Sequence, residues 1–299
     1  MRKCKRLECF ERTGCCVLFG TGRGRTNNNN DVDMDPSNQH YALLYLWDLR
    51  TIYIGELFEL PSLRVAASAF LLGLEKPYEL WDSDSGKRTF TRSTLVPAGA
   101  RLNVDSGGQI MAVCFLDPFG QDFALLQHQM QHQLGALWID SRREAVQLEA
   151  FNTIYRDVMH TVPAYESLLQ NILALESVPA EIPPVDERLW QVLDLIKRNP
   201  TLNISNLELA QAVGMSDVQL QRLFKQVIGV PIRRYRLWHR LFVTAGIMAS
   251  GKSLTDAALV AGFSDSSHFS RTFHSMLSMT PSFVFQRHSR IIINPGDGN

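Results

Sequence analysis

The stretch AVGMSDVQLQRLFKQV, residues 212–227, predicts a glycine turn followed by an amphipathic helix. Apolar side chains recur there at i, i+3, i+4 and i+7, the spacing of one buried helix face, at Leu220, Leu223, Phe224 and Val227. The opposite face of the same helix then points outward and carries Val218, Gln219, Gln221, Arg222 and Lys225. Amides and cations exposed behind a tight turn are suited to hydrogen bonds with a polar or anionic partner.

Two capping signals set the helix starts on either side of this turn. In SNLE, residues 205–208, the serine hydroxyl can accept the third backbone N–H, and the glutamate can reach back to the serine amide. SDVQ, residues 216–219, repeats this arrangement with glutamine in the last position. One helix is therefore expected to start near Asn206 and the next after Ser216.

The first of these helices is expected to stop at Gly214, because glycine adopts positive φ at no steric cost. Ala210 stands four residues earlier and has little bulk, which lets the second helix cross closely. A small residue, a tight glycine turn and a polar-faced helix together predict a helix-turn-helix, whose second helix enters a DNA major groove.

The arrangement recurs further along the chain. AGFSDSSHFSRTFHSML, residues 261–277, repeats VGMSDVQLQRLFKQVI, residues 213–228, with Ala258 again four residues before a glycine, Gly262. The apolar spacing is copied at Phe269, Thr272, Phe273 and Met276. Gly214 and Gly262 lie 48 residues apart, whereas the matching Phe224 and Phe273 lie 49 residues apart. The second turn therefore holds one extra residue. Two such units in tandem indicate DNA binding much more specifically than one.

Charge is distributed unevenly although the net charge is zero. Residues 186–290 carry 13 Lys and Arg against 7 Asp and Glu, whereas residues 36–185 carry 10 against 17. A basic C-terminal third suits a polyanionic partner, and the acidic middle region does not. A domain can also carry such an excess by chance, so the charge supports the helix-turn-helix prediction without establishing it.

The first 35 residues differ from the rest in composition. They hold four of the five cysteines and four consecutive asparagines, and they lack periodicity. We expect a disordered or mis-annotated extension there, with Met34 as an alternative start. The cysteine spacing fits no usual zinc pattern, so no metal is predicted. No apolar run of 18 residues and no secretory signal follow, and we expect a cytoplasmic protein without a membrane partner.

Residues 41–118 are expected to form strands. IYIGELFEL, RVAASAFLLGL and QIMAVCFLD are apolar or alternating runs separated by turn residues, which favours a small antiparallel barrel or sandwich. The fifth cysteine, Cys114, lies in one of these runs and is expected in the core. Three cations of this region could meet an acidic effector, although exposed strand cations need no ligand: Arg64, Arg92 and Arg101.

Residues 121–175 show helical spacing, in FALLQHQMQHQLGALW and EAVQLEAFNTIYRDV. His128 and His132 would share a helix face, as zinc-binding histidines do, but glutamines surround them and a solvated or subunit-facing stripe is the better interpretation. ESVPAEIPPV then brings three prolines together, which predicts a linker over residues 177–185.

The C-terminal residues resemble the DNA-binding domain of the AraC/XylS family of bacterial transcription regulators. The resemblance rests on LELAQAVGMSDVQLQRLFKQVIGVP and on LTDAALVAGFSDSSHFSRTFHSMLSMTPSF. It implies seven helices in residues 186–290, with a long central helix, IRRYRLWHRLFVTAGIMA, joining two recognition helices that read successive major grooves. It also implies DNA contacts by Val218, Gln221, Arg222, Lys225, Ser266, Ser267, His268 and Arg271.

Side-chain chemistry assigns these contacts different tasks. Arg222 and Arg271 can each donate two hydrogen bonds to the edge of a guanine, and Gln221 can form two hydrogen bonds with an adenine. Lys225 and the helix N-termini are expected to meet phosphates. Ser266 and Ser267 are short, so the second recognition helix is expected to supply affinity more than specificity.

Two regions depart from the family pattern. Ser278 stands where the family usually has glycine, so the final turn is expected to differ slightly. The central helix carries apolar residues where charged ones are usual, at Phe242, Val243, Ala245 and Gly246. Such a face would bind the other domain or a partner.

The sequence as a whole predicts an α+β protein. A small cupin-like β-barrel with dimerisation-type helices would occupy residues 36–176, the all-α DNA-binding domain residues 186–290, and a disordered tail residues 291–299. By this layout the protein is a sequence-specific transcription regulator without a catalytic site or cofactor. Its partners would be double-stranded promoter DNA, RNA polymerase, a small effector and a second copy of the chain. The alternatives are a β-barrel enzyme carrying a DNA-binding tail and a DNA-bending architectural protein.

Overall fold

The computed structural model describes residues 41–175 and 184–285, and the backbone of residues 289–293. The predicted N-terminal extension and nearly all of the predicted linker lie outside these ranges. The strands of the described residues are β1 (Ala42–Leu46), β2 (Thr51–Glu56), β3 (Glu59–Arg64), β4 (Ala69–Gly73), β5 (Tyr78–Asp82), β6 (Arg88–Thr91), β7 (Ser93–Val96), β8 (Arg101–Asp105), β9 (Ile110–Phe115), β10 (Met130–Leu134), β11 (Leu137–Ser141) and β12 (Ser289–Ile293).

These strands form two sheets. The larger has the order β10-β11-β7-β4-β9-β2-β1-β12 and the smaller has the order β3-β8-β5-β6. Neighbouring strands run antiparallel except for the parallel pair β1–β12. The N-terminal half is therefore β-rich, as predicted, but its strands form two packed sheets and not a closed barrel.

Alternation along the central strands divides the core into two layers. On β9, Met111 and Val113 pack with the smaller sheet, whereas Ala112 and Cys114 pack on the opposite side against helices such as the one that carries Phe151. Successive strand side chains point to opposite faces, so a strand covered on both faces is apolar throughout. This explains the continuous apolar run of β9 and confirms that Cys114 is a core residue.

The predicted helix over FALLQHQMQHQLGALW is wrong beyond its first two turns. Helix α1 (Gln121–Gln127) ends early, and β10 and β11 form a hairpin closed by Gly135 at φ 61°. His128 follows the end of α1 and His132 pairs with Ile139 on β11, so the two histidines do not share a helix face. Apolar and polar residues alternate in MQHQL, residues 130–134, and a glycine follows, which is the pattern of a strand before a hairpin turn. The same apolar residues also fit helical spacing, so the sequence pattern was ambiguous.

Nine further helical segments complete the described residues. Two lie against the large sheet: α2 (Glu144–Arg156) and α3 (Thr161–Ser167), which continues as a π-helical turn over Leu168–Ile172. Seven form the C-terminal domain, as predicted: α4 (Glu187–Arg198), α5 (Asn206–Ala212), α6 (Asp217–Ile228), α7 (Ile232–Ala249), α8 (Leu254–Val260), α9 (Ser266–Leu277) and α10 (Pro281–Val284).

The end of the chain returns to the N-terminal half. Strand β12 lies beside β1, with Ala42 opposite Ser289 and Leu46 opposite Ile293. A disordered tail over residues 291–299 is therefore wrong for residues 291–293, which belong to a sheet. Nothing in the local sequence indicates this pairing, because its partner lies about 250 residues earlier in the chain.

The two halves share an apolar core. Trp238 on α7 packs edge to face on Phe115 of β9, with ring centroids 4.7 Å apart, and its neighbour Phe242 packs on the same cluster. Phe58, just before β3, meets Phe283 on α10 at 6.1 Å. The unusual apolar face of the central helix therefore packs against the N-terminal half of the same chain.

Candidate functional site

The first helix-turn-helix consists of α5 and α6, and both helices begin with a complete capping box. Ser205 Oγ accepts a hydrogen bond from the Glu208 backbone N–H at 3.1 Å, and Glu208 Oε2 accepts one from the Ser205 backbone N–H at 2.7 Å. In the same way, Ser216 Oγ accepts a hydrogen bond from the Gln219 backbone N–H at 3.3 Å, and Gln219 Oε1 accepts one from the Ser216 backbone N–H at 3.1 Å. The hydrogen bonds from Ser205 hold the pKa of the Glu208 carboxyl below its usual value. These caps satisfy backbone N–H groups that a helix start leaves unpaired, so they fix where each helix begins.

The turn between the two helices depends on a glycine conformation. Gly214 has φ 66°, in the left-handed region that glycine adopts without strain. Behind it, Leu209 and Ala210 of α5 are fully buried with Leu220 and Phe224 of α6. The small alanine thus lies at the crossing of the two helices, as the sequence predicted.

The outward face of α6 is free of packing by the rest of the described chain. Val218 is 77% exposed, which is unusual for a valine, and Gln221, Arg222 and Lys225 are also exposed. Gln221 donates a hydrogen bond to Asp217 at 2.7 Å, so this amide is already oriented along the helix. The structure therefore brings all four predicted contact residues of the first unit onto one accessible surface.

The second helix-turn-helix consists of α8 and α9. Ser253 caps α8, because its Oγ accepts a hydrogen bond from the Asp256 backbone N–H. Asp265 caps α9, because its Oδ1 accepts a hydrogen bond from the His268 backbone N–H at 2.7 Å. That hydrogen bond lowers the pKa of the Asp265 carboxyl. The cap follows Gly262 by three residues, whereas the cap of α6 follows its glycine by two, so the extra residue of the second turn is confirmed.

The predicted contact residues on α9 are less uniformly exposed than those on α6. Ser267 and Arg271 are exposed, whereas Ser266 and His268 are half-buried. The His268 ring packs edge to face on Phe263, and its Nδ1 lies 3.2 Å from Ser264 Oγ. Arg271 is therefore the long accessible cation of this surface.

Helix α7 ties the two units together. Arg240 Nε donates to the Pro200 carbonyl at 2.7 Å and its Nη2 donates to Asn203 Oδ1 at 2.9 Å, which holds the loop before α5. Gly262 lies against the same loop, where an added Cβ would meet Pro200 O and Thr201 Cα at 3.0 Å and Arg240 Cζ at 3.3 Å. The turn of the second unit therefore packs on the loop that leads into the first unit.

A cavity of about 720 Å³ lies between the two halves of the protein. Its N-terminal wall includes Trp47, Ala67 and Phe115, and its C-terminal wall is formed by α7, including Trp238 and Phe242, and by the end of α6. Ligand pockets of proteins are typically of this size and mostly apolar. The local sequence does not reveal the cavity because its lining comes from separate stretches of chain, and the apolar face of α7 is its one indication.

The three arginines considered for an acidic effector do not line this cavity. Arg101 pairs with Asp84, Arg92 donates to the Glu75 carbonyl at 3.2 Å, and the Arg64 carbonyl accepts from Arg234. Arg64 and Arg101 are neighbours across β3 and β8, while Arg92 lies elsewhere. The structure therefore does not gather the three guanidinium groups into one site.

The described residues also contain a buried ion pair. Arg50 and Asp122 are almost completely buried and lie 2.7 Å apart, and Tyr165 accepts a further hydrogen bond from the arginine at 2.7 Å. Within the described ranges, no group of three or more His, Cys, Asp or Glu side chains is placed to hold a metal ion. A search of the same residues finds no helix that is both long and apolar enough to span a membrane.

Comparison with known proteins identifies the C-terminal region. Residues 209–287 match a family model described as a helix-turn-helix domain. The HTH-type transcriptional activator RhaS of Klebsiella pneumoniae (strain 342) is 31% identical over 137 residues, which are 44% of this chain and 49% of that protein. RhaS of Yersinia pestis is 35% identical over 96 residues, 31% of this chain and 35% of that protein. The chain thus spans about half the length, or less, of these relatives.

Solved structures share the whole architecture. ToxT from Vibrio cholerae O395 superposes with a TM-score of 0.53 at 15% identity, over 79% of this chain and 97% of that one. ToxT from Vibrio cholerae strain SCE256, solved with a bound unsaturated fatty acid, superposes with a TM-score of 0.51 at 16% identity, over 79% and 95%. At this identity the likeness shows the fold alone: a β-rich N-terminal half followed by a helical domain.

Proposed function

We propose that this chain, whose C-terminal third carries a helix-turn-helix domain of the AraC/XylS type, is a sequence-specific transcription regulator that places two recognition helices in successive major grooves. The observation that carries the proposal is the pairing of two helix-turn-helix units on one central helix. Each unit has a capped second helix, α6 or α9, that presents an arginine to solvent.

The division of tasks follows from the exposed side chains. Arg222 and Arg271 can each donate two hydrogen bonds to a guanine edge, and Gln221 can pair with an adenine. Lys225 meets the phosphate backbone, where it adds affinity without sequence information. Val218 offers an apolar contact for a thymine methyl group, and Ser266, Ser267 and His268 complete the second surface with shorter reach.

The N-terminal half has a regulatory role in this proposal. Its apolar core is continuous with that of α7, so a molecule bound between the halves can alter how the DNA-binding domain is held. The ToxT structure with a bound fatty acid shows that a protein of this fold can accommodate a small molecule. RNA polymerase and a second copy of the chain are the macromolecular partners that the AraC/XylS resemblance implies.

Selection of bound duplexes from a random-sequence pool by the full chain tests the proposal. We expect an enriched motif with two half-sites separated by about one helical turn, 10–10.5 base pairs. Arg222→Ala and Arg271→Ala should each relax the motif in one half-site. Arg198→Ala is the matched control, because Arg198 is exposed on α4 and pairs with Asp194 away from both recognition helices. Binding without any enriched motif would contradict the proposal and favour a DNA-bending architectural protein.

A further inference from the structure

The cavity between the halves has walls that belong to both functional parts of the protein. The N-terminal wall contains the turn from Leu46 to Thr51 and the segment that follows β9, and the C-terminal wall contains α7 and the α6 end, Val227–Gly229. A molecule in this space touches the sheet half and the first helix-turn-helix at once. Its chemistry can be inferred from the charges that the lining offers.

The described lining offers no cation to an anionic ligand. None of the described residues that form it is a lysine or an arginine. Two nearby cations are already paired: Lys197 Nζ lies 2.7 Å from Asp48 Oδ1, and the Arg50 guanidinium is paired with Asp122. A carboxylate or phosphate buried here would lack a counter-charge, and burying an unpaired charge is strongly unfavourable.

The two carboxylates of the lining are already satisfied, so a cationic ligand gains little. Asp48 forms the ion pair with Lys197. The Asp117 carboxylate accepts hydrogen bonds from the backbone N–H groups of Phe119, at 2.8 Å, and of Asp122, at 2.6 Å. Burial, with the Asp122 carboxylate beside it, raises the pKa of the Asp117 carboxyl above its usual value, which disfavours its charged form.

The histidine of the lining is neutral at physiological pH. Burial, with Lys197 nearby, lowers the pKa of His239 to about 4, and the ring makes a hydrogen bond to the Lys197 backbone at the end of α4. Among the described residues, three polar side-chain atoms of the lining are buried without a hydrogen-bond partner: Trp47 Nε1, Thr51 Oγ1 and His239 Nε2. Buried polar atoms are normally hydrogen-bonded, so each of these uncharged groups keeps unused hydrogen-bonding capacity, which a side-chain rotation must turn toward the cavity because the atoms themselves are buried.

We propose that the cavity between the two halves binds an uncharged, largely apolar molecule that carries a hydroxyl or amide group. Apolar side chains such as Phe115, Trp238 and Phe242 cover its body, and the uncharged polar groups of Trp47, Thr51 and His239 select its polar end. The inference deepens the proposed function, because it assigns the chemical class of the effector and the place where it acts.

Three probes with one hydrocarbon body and different head groups test this assignment: decan-1-ol, decanoate and decylammonium. Each is titrated into the full chain at pH 7, without DNA and below its micelle concentration, by isothermal titration calorimetry. We expect decan-1-ol to bind at least about tenfold more tightly than either ion, since only the ions bring an unpaired charge into the cavity. Decanoate or decylammonium binding as tightly as the alcohol, or no binding of any probe, overturns the proposal.

A charge placed in the lining should change the preference. Val243 is half-buried on α7 and lines the cavity, whereas Val146 on α2 is 45% exposed and does not. In Val243→Lys we expect decanoate to gain at least about tenfold relative to decan-1-ol, because the new ammonium pairs with the carboxylate. Val146→Lys, which adds the same charge elsewhere, should keep the wild-type order.

The outcomes separate this inference from the proposed function. An unchanged probe order in a folded Val243→Lys protein contradicts the cavity as the binding site. If Val243→Lys does not fold, the order of the three probes on the wild-type protein still decides the ligand class. The measurements contain no DNA, so failure to find a DNA motif would leave them intact, and a motif found without probe binding would leave the regulator proposal intact.

Discussion

Lys197 Nζ on α4 lies 2.7 Å from Asp48 Oδ1 in the turn between β1 and β2, and this ion pair joins the C-terminal helical domain to the sheet half. The lysine side chain is 8% exposed and the aspartate side chain 23%. Solvent therefore screens the pair only partly. It stands beside the shared apolar core and fixes the position of α4 relative to the N-terminal half.

Removing the lysine charge should destabilise the protein, because it leaves the Asp48 carboxylate partly buried without its partner. For Lys197→Met we expect the free energy of unfolding of the full chain to fall by about 1–3 kcal/mol, less than for a fully buried pair. Urea titration followed by circular dichroism measures it. Arg198→Met is the control, since its exposed pair with Asp194 should contribute no more than about 0.5 kcal/mol. Equal effects of the two substitutions would contradict the role of the Lys197 pair.

Gly229 ends α6 at φ 82° and touches the N-terminal half, where an added Cβ would lie 2.8 Å from Ala98 Cβ. Gly214 has a similar φ of 66° but nothing within 4 Å of an added Cβ. Gly214→Ala should therefore lower the free energy of unfolding by about 1–2 kcal/mol, the cost of left-handed backbone alone. Gly229→Ala should lower it by about 2–4 kcal/mol, since overpacking is added to that cost.

A second substitution isolates the contact. Ala98→Gly removes the opposing methyl group, so in the background of Gly229→Ala it should recover part of the lost stability. The same change should not rescue Gly214→Ala. If Ala98→Gly restores neither protein, the close approach of Gly229 to Ala98 does not contribute to the cost.

Ser278 ends α9 in the left-handed conformation, at φ 52°, as Gly229 ends α6. The final turn therefore keeps the geometry that glycine favours, although the residue is serine. Ser278→Gly should raise the free energy of unfolding by about 0.5 kcal/mol, because the relief of strain is partly offset by the flexibility of glycine and by the loss of the hydrogen bond from Ser278 Oγ to the Pro61 carbonyl. Ser278→Ala keeps the strain and loses the hydrogen bond from Ser278 Oγ to the Pro61 carbonyl, so it should be the least stable of the three. Thermal unfolding should rank them Gly, Ser, Ala, and any other order refutes the strain argument.

Arg222 and Lys225 should respond differently to DNA sequence and to salt. If Arg222 forks onto a guanine, Arg222→Ala should weaken binding to the selected duplex by about 1–3 kcal/mol and relax preference at one base pair. If Lys225 meets a phosphate, Lys225→Ala should weaken binding to all duplexes similarly and reduce the log–log salt slope by about 1.

Gel-shift titrations on selected and scrambled duplexes at several salt concentrations separate these two behaviours. Unfolding curves of both variants should stay within about 0.5 kcal/mol of the wild type, since both side chains are exposed. An Arg222→Ala protein with unchanged site preference would show that α6 is not the base-reading helix.

Local sequence determined the elements of the first helix-turn-helix. The serine caps at Ser205 and Ser216, the turn at Gly214 and the apolar stripe from Leu220 were all predicted and are all present. Each signal spans only a few residues, because caps, turns and helix faces are satisfied by atoms close along the chain. The exposure of Arg222 and Lys225 follows from the same periodicity.

Tertiary structure decided the features that depend on distant partners. The hairpin of β10 and β11 replaced a predicted helix because pairing with β7 continues the large sheet beside it. The parallel pairing of β12 with β1, the contact of Trp238 with Phe115 and the cavity between the halves join segments more than a hundred residues apart. An apolar face in the sequence shows that a surface must be buried, but which surface buries it depends on shape complementarity that exists only once both halves have folded.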